Sequence, residues 1–288
     1  MTAERRDASF AGDGFRAQDA TAARSASARP EVMEPCDPSA AGVGNAAEKL
    51  ELVMGAEGLA RLASAHVAVL GLGGVGSNCV EALARGGVGN LFLVDRDIVQ
   101  ASNINRQAIA FRSTLGRRKV DVMRAMVADI NPRAAVETRH MLVLRENLGE
   151  LLDEMRAWAE ADGGALDYVV DAIDTVSAKL ALAEIAQERG ITLISSMGAA
   201  NKLHPEALRI ADLYDTVNCP LCRIMRKEGR KRGIRRLRVL YSAEEPVRVP
   251  TREGAARSER SNLGTASFMP PIMGQMIAGA VLRELVGL

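Results

Sequence analysis

A stretch of four glycines carries the residue spacing with the clearest chemical meaning in this sequence. Gly71, Gly73 and Gly76 stand in G-x-G-x-x-G order, and Gly74 is an additional glycine among them. An apolar run precedes the stretch and an apolar helical pattern follows it, so it is expected to join a buried strand to a helix. Backbone N–H groups at a helix start attract phosphate, and the helix dipole strengthens that attraction. The stretch therefore predicts a nucleotide site without indicating which nucleotide binds.

An acidic residue follows the next predicted strand at a spacing that suits the same site. Asp95 ends the apolar run 90–95 and lies 19 residues beyond Gly76. In strand–helix–strand nucleotide sites, a carboxylate about 20 residues after the glycines accepts a ribose hydroxyl. The alternative is that Asp95 caps a helix or is a solvated loop acid. An NAD-dependent enzyme fits these first two features equally well.

The polar loop after that strand favours ATP over a dinucleotide. Asp97, Asn103, Arg106 and Gln107 fall at the carboxyl end of the strand, where open α/β sheets bind ligands. We expect Arg106 to form a fork onto phosphate oxygens, and Asn103 to orient the loop or a ribose. Lys119 belongs to a basic cluster at the start of a predicted helix, where cations oppose the helix dipole and call for a compensating anion. A triphosphate would supply that charge.

A later strand also ends in acidic residues. Asp174 lies just beyond the apolar run that ends at Asp171, immediately before a helix predicted over residues 176–189. A carboxylate in this position suits a divalent cation that is shared with waters and phosphate oxygens. We therefore expect Asp174 to serve Mg2+. The alternative is that it caps the helix.

The alternation of strand and helix patterns through about residue 198 predicts the fold class. It indicates an α/β, doubly wound, Rossmann-like and mostly parallel sheet with helices on both faces, followed by a C-terminal extension of strands and a basic helix. Residues 1–44 contain three prolines and no sustained period, which predicts a disordered tail. Residues 45–288 are expected to form one domain, with a nucleotide-binding core over 45–200 and a substrate-binding extension over 201–288.

These motifs together resemble those of the ThiF/MoeB/HesA family of adenylating enzymes, relatives of the ubiquitin-activating enzymes. Five separated motifs carry the resemblance, in the same order, over about residues 46–200. In that family the glycine loop and the aspartate after the second strand hold ATP, an arginine and a lysine grip the phosphates, and a later aspartate serves magnesium. The resemblance implies catalytic roles for Arg106, Lys119 and Asp174, with Asp174 as the metal ligand. It implies an ATP site formed by Gly71, Gly73, Gly74, Gly76, Asp95, Asp97, Asn103, Arg106, Gln107 and Lys119.

The second half of the chain resembles one branch of that family, which acts on threonylcarbamoyl-adenosine in tRNA. The resembling segments are 195–202, 209–214, 219–227, 230–246 and 264–270. Enzymes of this branch use ATP to activate the carboxylate of the modified nucleoside, which then cyclises with loss of water. The resemblance thus implies an ATP-dependent tRNA dehydratase. Two alternatives stay open: an adenylyltransferase that activates the C-terminal glycine of a ubiquitin-like sulfur carrier, and a dinucleotide-binding oxidoreductase or non-catalytic adaptor.

A basic tract supports a nucleic-acid partner independently of the resemblance. Residues 223–238 contain nine Lys or Arg residues and one acid. Such a density of like charge is either solvated or neutralised by a polyanion, and the lack of aromatic residues favours phosphate contact over base reading. The alternative is a merely solvated helix face. Contacts with tRNA are expected from Arg223, Arg226, Lys227, Arg230, Lys231, Arg232, Arg235 and Arg236.

The cysteines are too few for a disulfide framework, since the 288 residues include four of them. They fit a reducing, cytoplasmic environment. Some family members hold a structural zinc with two C-x-x-C pairs, whereas this sequence has one such pair, Cys219 and Cys222, so no zinc is expected. The pair is either a redox pair or incidental.

The remaining predictions concern partners. Residues 270–288 start with prolines and are apolar almost all round, which indicates a core or dimer helix. Peripheral membrane contact through 270–288 is the alternative, and no transmembrane span is expected. Residues 246–262 are expected to form a mobile loop near the RNA. The resemblance implies a homodimer and a possible sulfur-transfer protein partner, and it aligns Lys49 with an arginine that enters the neighbouring subunit's ATP site. At Gly74 we expect any side chain to crowd the phosphates.

Overall fold

The computed structural model of this chain describes residues 47–248 and 263–288. The tail predicted for 1–44 lies outside the described residues, as does the loop predicted for 246–262 apart from its first three residues. The strands are β1 (His66–Leu70), β2 (Asn90–Val94), β3 (Ala135–Arg139), β4 (Leu166–Asp171), β5 (Leu193–Ser196), β6 (Leu208–Asp212) and β7 (Arg238–Ser242). The α-helices are α1 (Glu48–Ser64), α2 (Gly74–Arg85), α3 (Lys119–Ile130), α4 (Arg145–Ala161), α5 (Val176–Arg189), α6 (Pro220–Lys231) and α7 (Met269–Val286).

The strands form one sheet in the order β3-β2-β1-β4-β5-β7-β6. Every pair of neighbours is parallel except β6 and β7, which are antiparallel. The prediction of a doubly wound, mostly parallel sheet is therefore confirmed. The strand order reverses between β1 and β4, and sheets of this kind bind ligands in the crevice at the carboxyl ends of such a strand pair. The glycine loop follows β1 and the segment with Asp174 follows β4, so both reach this crevice.

The central strands are buried on both faces, which explains their uninterrupted apolar runs. All five residues of β1 and all five of β2 are buried. Val67 and Val69 pack with α2, α3 and α7, whereas Ala68 and Leu70 pack with α4 and α5 on the opposite face. Alternate side chains of each strand thus serve two different helical layers.

The C-terminal helix α7 belongs to the core. Met273, Ile277 and Val281 are fully buried in the same cluster as α2. A β-carbon at Gly274 would lie 2.5 Å from the carbonyl oxygen of Val75, so only glycine allows this close approach of α7 to α2. The core interpretation of residues 270–288 is confirmed. None of the helices in the described ranges combines the length and the apolarity that crossing a bilayer demands.

Candidate functional site

The glycine loop between β1 and α2 packs tightly against the segment that follows β4. Gly71 has a φ of +94°, and a β-carbon there would lie 2.6 Å from the carbonyl oxygen of Ala172. A β-carbon at Gly76 would lie 1.8 Å from the carbonyl oxygen of Gly71. Both positions therefore require glycine for backbone packing, before any ligand is considered.

Gly73 and Gly74 have different surroundings. A β-carbon at Gly73 would meet no atom of the described residues within 4 Å, and this residue lines the cavity of the site. A β-carbon at Gly74 would lie 2.7 Å from Cβ of Pro270 and 3.2 Å from Cγ of Arg106. A side chain at Gly74 would thus collide with the start of α7, and its effect on bound phosphates stays a prediction. Gly73 is the glycine that leaves space for a ligand beside the backbone.

Asp95, which directly follows β2, fixes the glycine loop through a hydrogen bond. Its Oδ2 accepts the N–H of Leu72 at 2.6 Å, and its Oδ1 accepts the N–H of Asp97 at 2.7 Å. The side chain is half-buried and lines the cavity. Each carboxylate oxygen can accept a second hydrogen bond. The group that fixes the loop can therefore also receive a ribose hydroxyl.

Lys119 and Asp97 form a charged pair beside the glycine loop. Lys119 Nζ lies 2.9 Å from Asp97 Oδ2, and the Lys119 backbone N–H donates to the Asp97 carbonyl at 3.0 Å. Lys119 is only 4% exposed, whereas Asp97 is exposed. The ammonium group is thus fixed at the first residue of α3, and it has three donors to share between Asp97 and a ligand. A phosphate can join or replace Asp97 there.

Buried amides hold the loop that carries Arg106. Asn78 Nδ2 donates to the Arg106 carbonyl at 3.0 Å, and Asn103 Oδ1 accepts the N–H of Gln100 at 3.0 Å. Asn103 therefore orients the loop, which is one of its two expected roles. The Arg106 guanidinium donates to the Ser102 carbonyl at 2.9 Å and lines the cavity.

Gln107 is buried with an unused acceptor. Its side-chain oxygen has no hydrogen-bond partner among the described residues, although the residue is only 7% exposed and lines the cavity. An unpaired buried polar atom costs free energy in the folded state. This oxygen is therefore a natural partner for a donor on a bound molecule.

Asp174 stands at the edge of the cavity and does not cap α5. The capping residue is Thr175, and α5 lacks a side-chain cap hydrogen bond. Asp174 is exposed, and its Oδ1 accepts from the Thr175 hydroxyl at 3.2 Å. Within residues 47–248 and 263–288, no cluster of three or more Asp, Glu, His or Cys side chains is positioned to hold a metal ion. A cation at Asp174 would have to complete its shell with ligand oxygens and water.

A buried ion pair beneath Asp174 was missed in the sequence. Lys179 Nζ lies 3.0 Å from Asp171 Oδ2, and neither side chain is more than 2% exposed. The Ser195 hydroxyl donates to Asp171 Oδ2 at 2.5 Å, and the Ile173 N–H donates to Asp171 Oδ1 at 3.1 Å. The pair thus fixes the turn that presents Asp174. The available signal was Lys179 itself, a lone cation within the apolar run 178–183.

These groups surround one cavity of about 680 Å³. That volume lies within the range of small-molecule sites, roughly 300–1,000 Å³. Every residue expected at the ATP site lines it except Gly76, where the approach to Gly71 requires glycine. A second part of the lining, called the far end below, is formed by residues 196–202, by Cys219, Pro220 and Leu221 at the start of α6, and by Pro246 and Leu263. The cavity therefore joins a nucleotide end to a second end with a different lining.

The basic tract starts beside this far end and continues along α6 and beyond it. Half of the eight side chains expected to contact tRNA are engaged within the protein. The engaged pairs are Arg226 with Thr216, Arg230 with the Tyr214 ring, Lys231 with Glu228, and Arg232 with Glu184. Arg223, Lys227, Arg235 and Arg236 are exposed, and their side chains make no hydrogen bond or ion pair with the described residues. These four are the cations available to a polyanion.

The cysteine pair also lies at the far end. Cys219 is the residue before α6, and its Sγ accepts the N–H of Cys222 at 3.4 Å. The hydrogen bond from the Cys222 thiol, followed by backbone N–H groups and the charge of Lys202, lowers the pKa of Cys219 to about 6. The same hydrogen bond and burial raise the pKa of Cys222. The two thiols are therefore chemically unequal.

Comparison with known proteins agrees with this geometry. Residues 46–288 match the ThiF family. The tRNA threonylcarbamoyladenosine dehydratase of Bacillus subtilis (strain 168) is 40% identical over 245 residues, a match that covers 82% of this chain and 92% of that protein. Two crystal structures of E. coli TcdA, a tRNA N6-threonylcarbamoyladenosine dehydratase, contain ATP and AMP. Both give a TM-score of 0.71 at 28% and 29% identity, covering 83% of this chain and 93% of TcdA. Because the family match spans all of the described residues, this chain belongs to the ThiF family.

Proposed function

We propose that this protein catalyses the ATP-dependent dehydration of threonylcarbamoyl-adenosine in tRNA. The observation that carries the proposal is a single cavity lined both by groups suited to bind phosphate and by the start of α6, where the basic tract begins. The relatives in Bacillus subtilis and E. coli are named for this reaction, and the E. coli enzyme has been crystallised with ATP and with AMP.

The chemistry explains why such a site needs ATP. A carboxylate is a poor electrophile because its leaving group would be oxide. Transfer of a phosphate-containing group from ATP to one carboxylate oxygen turns that oxygen into a good leaving group. A nucleophile within the same threonylcarbamoyl group then attacks the carboxyl carbon, the ring closes, and the oxygen departs with the phosphate. The nucleoside loses one water, and the protein contributes by positioning and by stabilising charge.

Each residue at the nucleotide end has a role in this proposal. The open space beside Gly73 admits the phosphates next to backbone N–H groups. Asp95 receives a ribose hydroxyl, while Arg106 and Lys119 neutralise phosphate oxygens. Asp174 would hold Mg2+, with the remaining ligands supplied by the nucleotide and water. The ion, when bound, supplies positive charge to the departing phosphate.

The exposed cations of the basic tract would bind the tRNA backbone. Arg223, Lys227, Arg235 and Arg236 offer four charges without internal partners among the described residues. Contacts of this kind fix the position of an RNA without reading its sequence. The modified nucleoside would then enter the far end of the cavity from the side of α6. A tRNA substrate also favours the cytoplasm as the location of the protein.

A homodimer is part of the proposal. Ile98, Ile104, Phe111 and Leu115 lie within one segment after β2 and are between 42% and 56% exposed. Exposed apolar residues grouped in this way are typical of a surface that another chain covers. Sedimentation of the wild-type chain and of a Phe111→Glu variant tests this point. The trans role of Lys49, the sulfur-transfer partner and peripheral membrane contact stay predictions.

The direct test is conversion of the nucleoside. The protein is incubated with ATP, Mg2+ and tRNA that carries threonylcarbamoyl-adenosine, and the digested nucleosides are weighed by mass spectrometry. We expect a product lighter by one water, with little product from Asp174→Asn or without Mg2+. An unchanged nucleoside contradicts the proposal. ATP–pyrophosphate exchange that depends on a ubiquitin-like carrier and ignores tRNA would favour the sulfur-carrier alternative.

A further inference from the structure

The far end of the cavity contains two thiols for which the proposed reaction has no use. We propose that Cys219 and Cys222 form a reactive dithiol, and that low-molecular-weight disulfides convert it to an intramolecular disulfide at the wall of the cavity. The inference does not depend on the tRNA reaction, because it concerns only the thiols and their surroundings.

The backbone brings the two sulfur atoms together. Cys219 precedes the first residue of α6, a helix of 12 residues, and Cys222 lies in its first turn. Residues three apart at a helix start face the same side. The Cys222 N–H donates to Cys219 Sγ over 3.4 Å, which places the Cys219 sulfur beside the first turn of α6. Two cysteines three apart at a helix start are neighbours, so only a local movement of their side chains is needed to form a disulfide.

The surroundings favour a thiolate at Cys219 and a protonated thiol at Cys222. Lys202 lines the same end of the cavity, is only 2% exposed, and donates from Nζ to the Glu244 carbonyl. Its positive charge acts on Cys219 together with the N–H groups at the start of α6. A C-x-x-C pair at a helix N-terminus beside a cation is the setting in which thiols become reactive. The lowered pKa of Cys219 increases the fraction of thiolate at neutral pH relative to an ordinary cysteine.

Cys219 differs from the other described cysteines because a small molecule can reach its thiol through the cavity. Cys219 lines the cavity, so a small disulfide can reach it from inside. Cys222 is fully buried and is not part of the cavity lining, which suits a thiol that resolves a mixed disulfide. Cys79 is also fully buried, and burial raises its pKa to about 12. Cys79 therefore serves as an unreactive control within the same chain.

The reaction balances as two thiol–disulfide exchanges. The Cys219 thiolate attacks one sulfur of the small disulfide, a mixed disulfide forms, and one small thiolate leaves. Cys222 passes its proton to that thiolate and attacks Cys219 Sγ, which expels the second small thiolate. The protein loses two electrons, and the small disulfide gains them as two thiols.

The experiment uses the full chain with Cys36→Ser, which removes the thiol that lies outside the described residues. The reduced protein is incubated with oxidised glutathione at pH 7, quenched in acid, and analysed by intact mass and peptide mapping. We expect a species that has lost two hydrogens and contains a peptide linked through Cys219 and Cys222. In Cys222→Ser the reaction should stop at one glutathione on Cys219, and in Cys219→Ser no glutathione should reach Cys222.

A second readout does not depend on variants that could fail to fold. Iodoacetamide labelling of the Cys36→Ser protein across pH should give a rate at Cys219 with a midpoint below that of an ordinary cysteine, because the pKa of Cys219 is lowered. Cys79 should stay unlabelled in the folded chain. A midpoint above pH 8 at Cys219, labelling of Cys79 at the same rate, or an absence of the Cys219–Cys222 disulfide each overturns the proposal.

Discussion

The two ends of the cavity are built in different ways. At the nucleotide end, the backbone of the glycine loop packs against the backbone of Ala172, and the Asp95 carboxylate accepts a hydrogen bond from the N–H of Leu72. At the far end, α6 presents cations to solvent, and half of the cations expected to contact RNA are engaged with other groups of the protein. We therefore expect substitutions where backbone packs on backbone to act on folding, substitutions of the other cavity-lining groups to act on ATP binding, and substitutions in the basic tract to separate into structural and binding effects in the same way.

The largest effect is expected from the buried pair below Asp174. Lys179→Met leaves the carboxylate of Asp171 buried without its cation, which typically costs about 3–5 kcal/mol of unfolding free energy. Urea denaturation followed by circular dichroism measures the loss. Asp171→Asn with Lys179→Met removes both charges and should recover part of the stability. Equal stability of Lys179→Met and the wild type would show that the pair does not fix the turn after β4.

The glycine loop offers a matched comparison with a somewhat smaller effect. Gly76→Ala forces a β-carbon onto the carbonyl of Gly71, and overpacking of this kind costs about 3 kcal/mol. Gly73→Ala meets no described atom within 4 Å, so its stability should stay within about 0.5 kcal/mol of the wild type. We expect Gly73→Ala instead to weaken ATP binding, as measured by calorimetry. If Gly73→Ala binds ATP normally, the phosphates do not pass beside Gly73.

Lys119→Met tests the charge of the nucleotide end. The variant removes a buried ammonium group whose hydrogen bonds to charged partners are worth about 2 kcal/mol, so ATP affinity should fall by about 30-fold. The exposed Asp97 can be solvated in this variant, which limits the effect on stability. Arg85→Met is the control, since it removes an exposed cation paired with Glu81. A similar loss of affinity in both variants would point to general charge rather than to Lys119.

Features that depend on one local motif could be predicted from the sequence, whereas contacts between elements that are distant in the chain could not. The strands, the parallel order and the cavity position of Asp174 follow from local patterns, because a buried strand followed by a polar turn determines where its end residues lie. The Asp171–Lys179–Ser195 cluster needs β4, α5 and β5 in register, which no single stretch reveals. The collision of a Gly74 side chain with Pro270 likewise depends on α7, nearly 200 residues further along the chain.

The basic tract shows the same limit and yields the smallest predicted effect. The sequence alone shows eight equivalent cations. In the structure, Thr216, Tyr214 and Glu184, which lie on other segments, engage three of them and so distinguish paired from unpaired cations. Arg223→Ala with Lys227→Ala removes two exposed charges and should weaken tRNA binding several-fold near physiological salt. If each charge contacts one phosphate, the slope of log K against log salt should fall by about 1.5. Filter binding across a salt series measures both quantities.

Arg226→Ala is the matched control within the same helix. Arg226 donates to the Thr216 carbonyl, so its loss should lower the unfolding free energy by about 1 kcal/mol and leave the salt slope unchanged. The double variant should show the reverse, a smaller slope with unchanged stability, because Arg223 and Lys227 make no ion pair or hydrogen bond within the described residues. A slope that falls equally in both variants would mean that Arg226 leaves Thr216 when RNA binds. The distinction between structural and binding cations would then hold only for the free protein.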